Sequence, residues 1–343
     1  MIDWGDSYTT VWRLVAVDQE TWADGETVGG VGSAKVTRTA GGKLLEAGSV
    51  EVEADGFEPG YYRLTCTAVD SAGNSERADV CTLLYGGSQR TYDHGMSTMT
   101  ANGRSVLYPA SVRLLVGGEY APQNSDGALL AAELLRSCIA APVEVEASFT
   151  LNGNVVYPFG SSVLDAVWLV LDAGGCVMQV TGDGTVHIRR LPEEPALELD
   201  AANARLVVPG VKASYDLADV PNQYIAVDEF STAIAVNDDP ESATSIPARG
   251  YVQMMLDESP TPVDGETLER YARRMLMEES TVQDSRTYTR EYWPGVLPYD
   301  IVRGSIDSAG LTGDMRVVSQ SLSCGDGILV NEKAAKEVTF WRA

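Results

Sequence analysis

Histidine is almost missing from this chain: there are two in 343 residues, His94 and His187. That scarcity excludes the multi-histidine ligand sets of catalytic zinc sites and leaves little imidazole for acid–base chemistry. Positive charge is short as well. Lys and Arg total 25 against 49 Asp and Glu, a formal net charge of −24. Nucleic-acid binding rests on cations that neutralise phosphates, so a surface this acidic repels nucleic acid over most of its extent. The five cysteines (Cys66, Cys81, Cys138, Cys176, Cys324) are an odd number without a Cys-x-x-Cys pair. This argues against a disulfide scaffold and a thiolate zinc site. Cys66 and Cys81 are spaced to face each other across a hairpin, but free buried thiols in a reducing cytoplasm are the expected state. No apolar run approaches the ~18 residues of a membrane span, and no basic stretch followed by an apolar one marks a signal peptide. Low-complexity blocks and Ser- or Pro-rich linkers are lacking too. The expectation is a soluble protein made in the cytoplasm.

What is present is turn chemistry and short apolar runs. Apolar residues make up 44% of the chain and glycines number 33, the balance of a globular protein with many turns and room for two or three domains. Residues 8–22 alternate as a strand ending in a turn at Asp18–Trp22, and 35–39 form a short second strand. SVEVEA (49–54) alternates strictly, with valines on one face and glutamates on the other. Residues 61–69 place Tyr61, Arg63, Thr65 and Thr67 opposite Tyr62, Leu64, Cys66 and Ala68. After a turn at 70–74, the run 78–85 is expected to stop at Gly86-Gly87, and 105–115 supplies further strand positions. Together these read as a compact antiparallel sheet or barrel.

The pattern then changes. Ser125 or Asp126 caps a helix with Leu130, Leu134, Leu135, Cys138 and Ile139 at helical spacing, stopped by Pro142. Ser161 or Ser162 starts a second helix carrying Val163, Val167, Trp168 and Leu171, ended by Gly174-Gly175. A hairpin follows, with Gly182-Asp183-Gly184 as its turn. The Pro-Glu-Glu-Pro step at 192–195 is the best boundary in the chain. Beyond it, 205–215 reads as a strand, 223–227 and 232–236 as two more, and 251–256 as another after a polar loop. Asp264 caps a helix to about Ser280 with Leu268, Tyr271, Ala272, Met275 and Leu276 on one face. Four further strands are expected at 286–293, 301–306, 316–323 and 336–341. The fold class is thus a β-rich α+β protein in three parts: residues 1–118, a small α+β module at 119–195, and 196–343.

Candidate chemistry is sparse. His94 lies beside Asp93 and near Tyr92, Ser88 and Ser97, yet no nucleophile elbow or oxyanion motif accompanies it, so a loop histidine is expected. His187 is expected at the surface or an interface. Asp228, Glu229, Asn237, Asp238 and Asp239 offer oxygens to calcium but lack the spacing of a calcium loop, so a solvated turn is expected. Glycoside hydrolysis needs two carboxylates at a set separation, which sequence does not place. The Gly-Gly pairs precede no Lys-Ser/Thr, so no phosphate loop is present. Trp4, Trp12, Trp22, Trp168, Trp293 and Trp341 offer either a sugar platform or packing, with Trp168 read as core. No residue is assigned as catalytic, cofactor-binding or metal-ligating, no cofactor is expected, and the chain is read as a non-enzyme.

One stretch carries a resemblance. Pro221-Asn222 leads into a strand run, followed by Asn237-Asp238-Asp239-Pro240, Ser242-x-x-Ser245-Ile246, Arg249-Gly250-Tyr251 and a helix rich in Ala, Arg and Leu. This order resembles the tail hub, or baseplate hub, proteins of long-tailed bacteriophages. The opening 11–22, VWRLVAVDQETW, and the middle order of helix, Gly-Gly, strand, Gly-Asp-Gly, strand are similar to that family too. Pro298-Tyr299-Asp300-Ile301-Val302 stands where the family has a "Gly-Asp-x-Val"-like turn, without the glycine. The resemblance implies two tail-tube-like antiparallel β-barrel domains flanking the α+β module, and a homotrimer that closes the distal end of the tail tube in the virion. Implied partners are the tail tube or distal tail protein, the tape-measure protein, and a fibre, spike or tip protein, with DNA passing through without specific binding. The excess of carboxylate is expected first to keep the protein dispersed, and an acidic bore that lets DNA pass is the sharper alternative. Because the chain ends soon after its last strand, at Ala343, no peptidase or adsorption extension is expected. The rival readings are a carbohydrate- or receptor-binding tail protein, from the tryptophans, and a cell-wall hydrolase, from His94.

Overall fold

The structure, a computed structural model, describes residues 8–40, 47–54, 56–70, 73–93, 96–117, 119–200, 207–228, 231–258, 260, 266–293, 295–324 and 328–341. The chain is mostly β. It opens with β1 (Tyr8–Val17), β2 (Asp24–Thr39), β3 (Ala47–Val52), β4 (Tyr61–Asp70), β5 (Ser75–Asp93) and β6 (Met96–Ser105). The middle carries α1 (Tyr108–Val112), β7 (Tyr120–Ala121), α2 (Gly127–Arg136), β8 (Val143–Val145), β9 (Val155–Val156), α3 (Val163–Ala173), β10 (Cys176–Val180) and β11 (Val186–Arg190). Then come β12 (Pro195–Leu199), β13 (Val207–Ser214), β14 (Gln223–Val227), β15 (Thr232–Val236), α4 (Ile246–Arg249), β16 (Met254–Asp257) and α5 (Leu268–Glu279). The last strands are β17 (Thr281–Glu291), β18 (Ile301–Ile306), β19 (Leu311–Cys324) and β20 (Ile328–Thr339).

One twelve-stranded sheet holds most of the strands, in the order β1-β4-β5-β6-β3-β2-β19-β20-β17-β13, with β18 joined to β19 and β12 to β18. Strand β1 is paired on both sides, by β4 and by β2. The alternating pattern of β3 is realised, since Val50 and Val52 are each 3% exposed. In β4 both faces are covered at mid-strand: Arg63 and Thr65 are buried along with Leu64 and Cys66. Leu64 faces Cys81 and Cys66 faces Ala78, because a register shift falls between Leu64 and Thr65. The two thiols are therefore not opposite each other, and all five cysteines are free. Burial pushes the Cys66 thiol up to about 11 and Cys324 up to about 12.

Three strand expectations are corrected here. The run expected at 35–39 is the end of a sixteen-residue strand, β2, that pairs with β1, β3 and β19. Gly86-Gly87 does not stop β5. Gly87 takes φ 134° at a register shift between Tyr85 and Gly87, so the glycine absorbs a bulge and the strand runs on to Asp93. Residues 105–115 are not a strand: β6 ends at Ser105 and Pro109, at the first turn of α1, starts a short helix.

By contact density the chain divides into Met1–Val211 with Thr287–Ala334, and Lys212–Arg286 with Ala335–Ala343. In the first unit, α2 and α3 pack on the three-stranded sheet β10-β11-β8. Asp126 caps α2 through the Ala128 and Leu129 amides. The buried face of α2 is Ala128, Ala131, Ala132 and Leu135, while Leu130 and Leu134, expected inside, are only partly covered. Helices α2 and α3 pack against each other. Ser162 and Asp165 form a complete capping box on α3, worth about 1 kcal/mol. The β10–β11 turn rests against β5. A Cβ on Gly182 would lie 1.7 Å from the Asp79 carbonyl, so only glycine permits that approach. Thr82 Oγ1 donates to the Gly182 carbonyl at 2.9 Å, and Trp22 Nε1 and Arg63 Nη2 donate to the Asp183 carbonyl at 2.8 and 2.9 Å.

A buried ion pair ties β17, β20 and β19. Arg290 and Glu332 are 1% and 0% exposed at their side chains and 2.7 Å apart. Tyr288 Oη donates to Glu332 at 2.6 Å and Gln320 Nε2 donates to it at 2.7 Å. Burial alone would raise the Glu332 carboxyl, but Arg290, Tyr288 and Gln320 together hold it below its ordinary value of 4.5.

In the second unit, β15-β14-β16 form a three-stranded sheet whose inner face, Tyr224, Ala226, Ala233 and Ala235, packs on Tyr271, Ala272 and Leu276 of α5. The expected cap Asp264 lies outside the described residues; α5 is capped by Thr267, whose hydroxyl accepts from the Arg270 amide. The loop before β16 contains the short helix α4, and β16 begins at Met254, three residues later than alternation suggests.

Removing the Glu332 carboxylate strands the Arg290 guanidinium without its charge partner. Glu332→Ala is expected to cost about 3–5 kcal/mol in urea unfolding, and the double change Arg290→Met/Glu332→Leu markedly less. Because the folded value of Glu332 is depressed, its contribution is present above pH 4.5 and is lost as pH falls through the lower folded value. The acid limb of a stability–pH curve checks this: it should flatten in the double variant.

Candidate functional site

The two histidines have different fates. His94 lies outside the described residues. His187, on β11, meets two carboxylates: its Nδ1 is 2.6 Å from Glu146 Oε1 and 3.5 Å from Glu144 Oε2. The three groups converge because β8 and β11 pair in parallel with Glu144 directly opposite His187, and the Glu146 amide donates to the Ile188 carbonyl. Sequence spacing hides this, since Glu144 and His187 are joined only by the pairing of non-consecutive strands. Among the described residues it is the one group of three or more ligand-type side chains whose ligand atoms lie within 4.8 Å of one another.

The acidic stretch considered for calcium is folded on itself. Asp228 Oδ1 accepts from the Ser231 amide at 2.6 Å, and Asp239 Oδ1 accepts from the Glu241 amide at 2.9 Å. Glu229 lies outside the described residues. Asn237 is fully buried and donates from Nδ2 to Ser242 and Thr244 at 2.9 and 3.1 Å. Its backbone bonds Asn222 and Ile246. Ser245 caps α4 and Gly250 closes it at φ 74°. The Asn-Asp-Asp-Pro turn thus works through its asparagine, and Asp238 and Asp239 face solvent.

The described tryptophans do not make a platform. Trp12 lies in the core of the N-terminal strands, Trp22 and Trp168 border the α+β module core, Trp293 borders the β18–β19 core, and Trp341 borders the α5 core. Trp4 lies outside the described residues.

Two features stand out in their place. In the second unit the sheet face away from α5 is apolar: Ile234, Ile225 and Leu256 lie side by side across the three strands, with Ile234 and Leu256 56% and 53% exposed. In the first unit, Asp300 is a buried junction between the module's hairpin and β18. Gln179 Nε2 and Arg189 Nη2 donate to its Oδ1 at 3.0 and 2.6 Å, and the Leu297 amide to its Oδ2 at 2.8 Å. Burial raises the Asp300 carboxyl above its ordinary range, with these donors opposing the shift. Its neighbour Tyr299 sits at φ 78°, the conformation that the turn's missing glycine would adopt freely.

A Tyr299→Val variant is expected to lose about 2 kcal/mol, since a β-branched residue is poorly tolerated at positive φ, whereas Tyr299→Gly stays within about 1 kcal/mol of the parent. Chemical denaturation of the two variants side by side checks the order; equal losses would mean that the ring, not the backbone, matters.

No protein-family model matches the sequence, and no curated protein matches it. The fold is nevertheless shared with solved structures. The 43 kDa tail protein of prophage MuSo2 from Shewanella oneidensis superposes with a TM-score of 0.63 at 16% identity, over 94% of this chain and 97% of that one. The tail protein from Neisseria meningitidis MC58 gives 0.64 at 13% identity, over 96% and 97%. A chain of the Francisella PdpA–VgrG complex gives 0.59 at 7% identity, over 98% of this chain and 60% of that one. Over nearly its whole length, this chain shares its fold with these two tail proteins.

Proposed function

We infer that this chain is a structural, non-enzymatic component of a phage-type tail, specifically the hub at the distal end of the tail tube. The observation that carries the reading is the fold held in common with two tail proteins across almost the full length of both partners in each comparison. In this reading residues 1–118 and 196–343 supply tube-like β-barrel domains and 119–195 the wedge between them. The pairing of β1 with both β4 and β2 supports barrel-like curvature in the first of these.

The hub is a homotrimer that joins the tube or distal tail protein on one side and a fibre, spike or tip protein on the other. The tape-measure protein and then DNA pass through its channel, and the protein resides in the virion at the tail tip. The row of Ile234, Ile225 and Leu256 supports an assembling protein, since an exposed apolar face of this kind marks protein contact. The net charge of −24 suits a bore that lets a polyanion slide without holding it. Among the described residues no helix is long and apolar enough to cross a membrane.

Light scattering of the purified full chain is expected to give three copies per particle, and negative-stain images a threefold ring with an open centre. Antibody to the chain should label the tail end distal to the capsid. A strictly monomeric chain that labels no tail would overturn the reading.

A further inference from the structure

The geometry points to a surface site for one divalent transition-metal ion of the zinc class, held by His187 Nδ1, Glu144 and Glu146. This inference is independent of the hub reading. An imidazole nitrogen and two carboxylates form a mixed donor set that suits zinc-class ions, whereas calcium and magnesium prefer oxygen alone. The arrangement is close to ligand spacing already. Donors on a tetrahedral zinc stand about 3.4 Å apart, and His187 Nδ1 is 3.5 and 2.6 Å from the two carboxylate oxygens. Opening the shorter contact by less than ~1 Å, through side-chain rotation, places an ion among all three.

The backbone presents the set. His187 and Glu144 are paired across a parallel ladder, and Glu146 is anchored by its amide to Ile188, so the ligand backbones are fixed before an ion arrives. Among the described residues no Lys or Arg forms an ion pair with either glutamate. The two carboxylates bring negative charge to the imidazole nitrogen, and a divalent cation would cancel it. The exposure of the three side chains (22%, 62% and 47%) leaves solvent to fill the remaining coordination positions.

The neighbouring strand adds a second observation. Gln179 lies directly across from His187 on β10 and is 2% exposed, yet its Oε1 receives no hydrogen bond. A metal on Nδ1 puts the imidazole proton on Nε2, which then becomes a donor on the strand that faces Gln179. An ion here would clamp β8 and the residue after it to β11.

The test uses the full chain, stripped with EDTA and then equilibrated with ZnCl2 or MgCl2. Zinc is expected to remain at one ion per chain after gel filtration and to raise Tm by about 5 °C at saturation, with no effect of magnesium. Substituting Co2+ should give a visible d–d absorption band. His187→Ala, Glu144→Gln and Glu146→Gln should each weaken zinc binding at least tenfold while keeping the metal-free Tm, and His94→Ala should leave it unchanged. Zinc retained in full by His187→Ala, zinc lost equally on His94→Ala, or no bound zinc in the parent would each overturn the site.

Discussion

A single carboxylate with no access to water sets the terms for three neighbouring strands of the large sheet. Glu332 is completely buried and takes hydrogen bonds from Arg290 and Tyr288 on β17 and from Gln320 on β19, one strand on each side of its own. A charge in that position is tolerated only when its partners stand where they do. Slipping any of the three strands by one residue would turn a partner to the opposite face. The network therefore acts as a register lock, whatever its net contribution to stability. Through β19 the lock reaches β2, which pairs with β19 from Ala34 to Thr39, and from there the six N-terminal strands. Strands β1 and β2 near one end of the sequence and β17, β19 and β20 near the other become one sheet.

The parts that could be read from sequence are those decided locally. Strands β14, β15 and β18 begin and end where alternation and turn residues put them. The helix starts are legible to within one residue, Ser125 or Asp126 and Ser161 or Ser162, because a short polar side chain before an apolar run has one economical use; the structure selects Asp126 and Ser162. The failures have another cause. Gly86-Gly87 looks like a stop, but a glycine at positive φ serves a bulge equally well, and only the partner strand decides between them. Leu135 and Ile139 are buried as the helical spacing puts them, but Leu130 and Leu134 are only partly covered, and Ala128, Ala131 and Ala132 take the rest of the buried face. His187 appeared isolated because its partners come from a parallel pairing of non-consecutive strands. Asp300 looked like part of a turn, and its role as a buried acceptor depends on Gln179 and Arg189, more than a hundred residues away.

The same logic bears on the charge. Few cations are present, and several are spent inside: Arg38, Arg63 and Arg290 are 2%, 6% and 1% exposed. Arg63 serves Asp24 and the Asp183 carbonyl, and Arg290 serves Glu332. Each buried arginine is a positive charge withdrawn from the surface, so the exterior is poorer in cations than the count of 25 suggests. In the proposed ring, copies of such a chain repel one another. Contact faces must then be apolar or carry matched pairs, since screening over about 8 Å at physiological salt only softens the repulsion. The uncharged row of Ile225, Ile234 and Leu256 meets that condition where an acidic loop would not. A phosphate backbone moving past the remaining surface finds few fixed cations to exchange for its counterions, and counterion release is the main source of non-specific affinity. The scarcity that made the sequence look chemically empty is then what the proposed channel needs: a wall with little to hold on with.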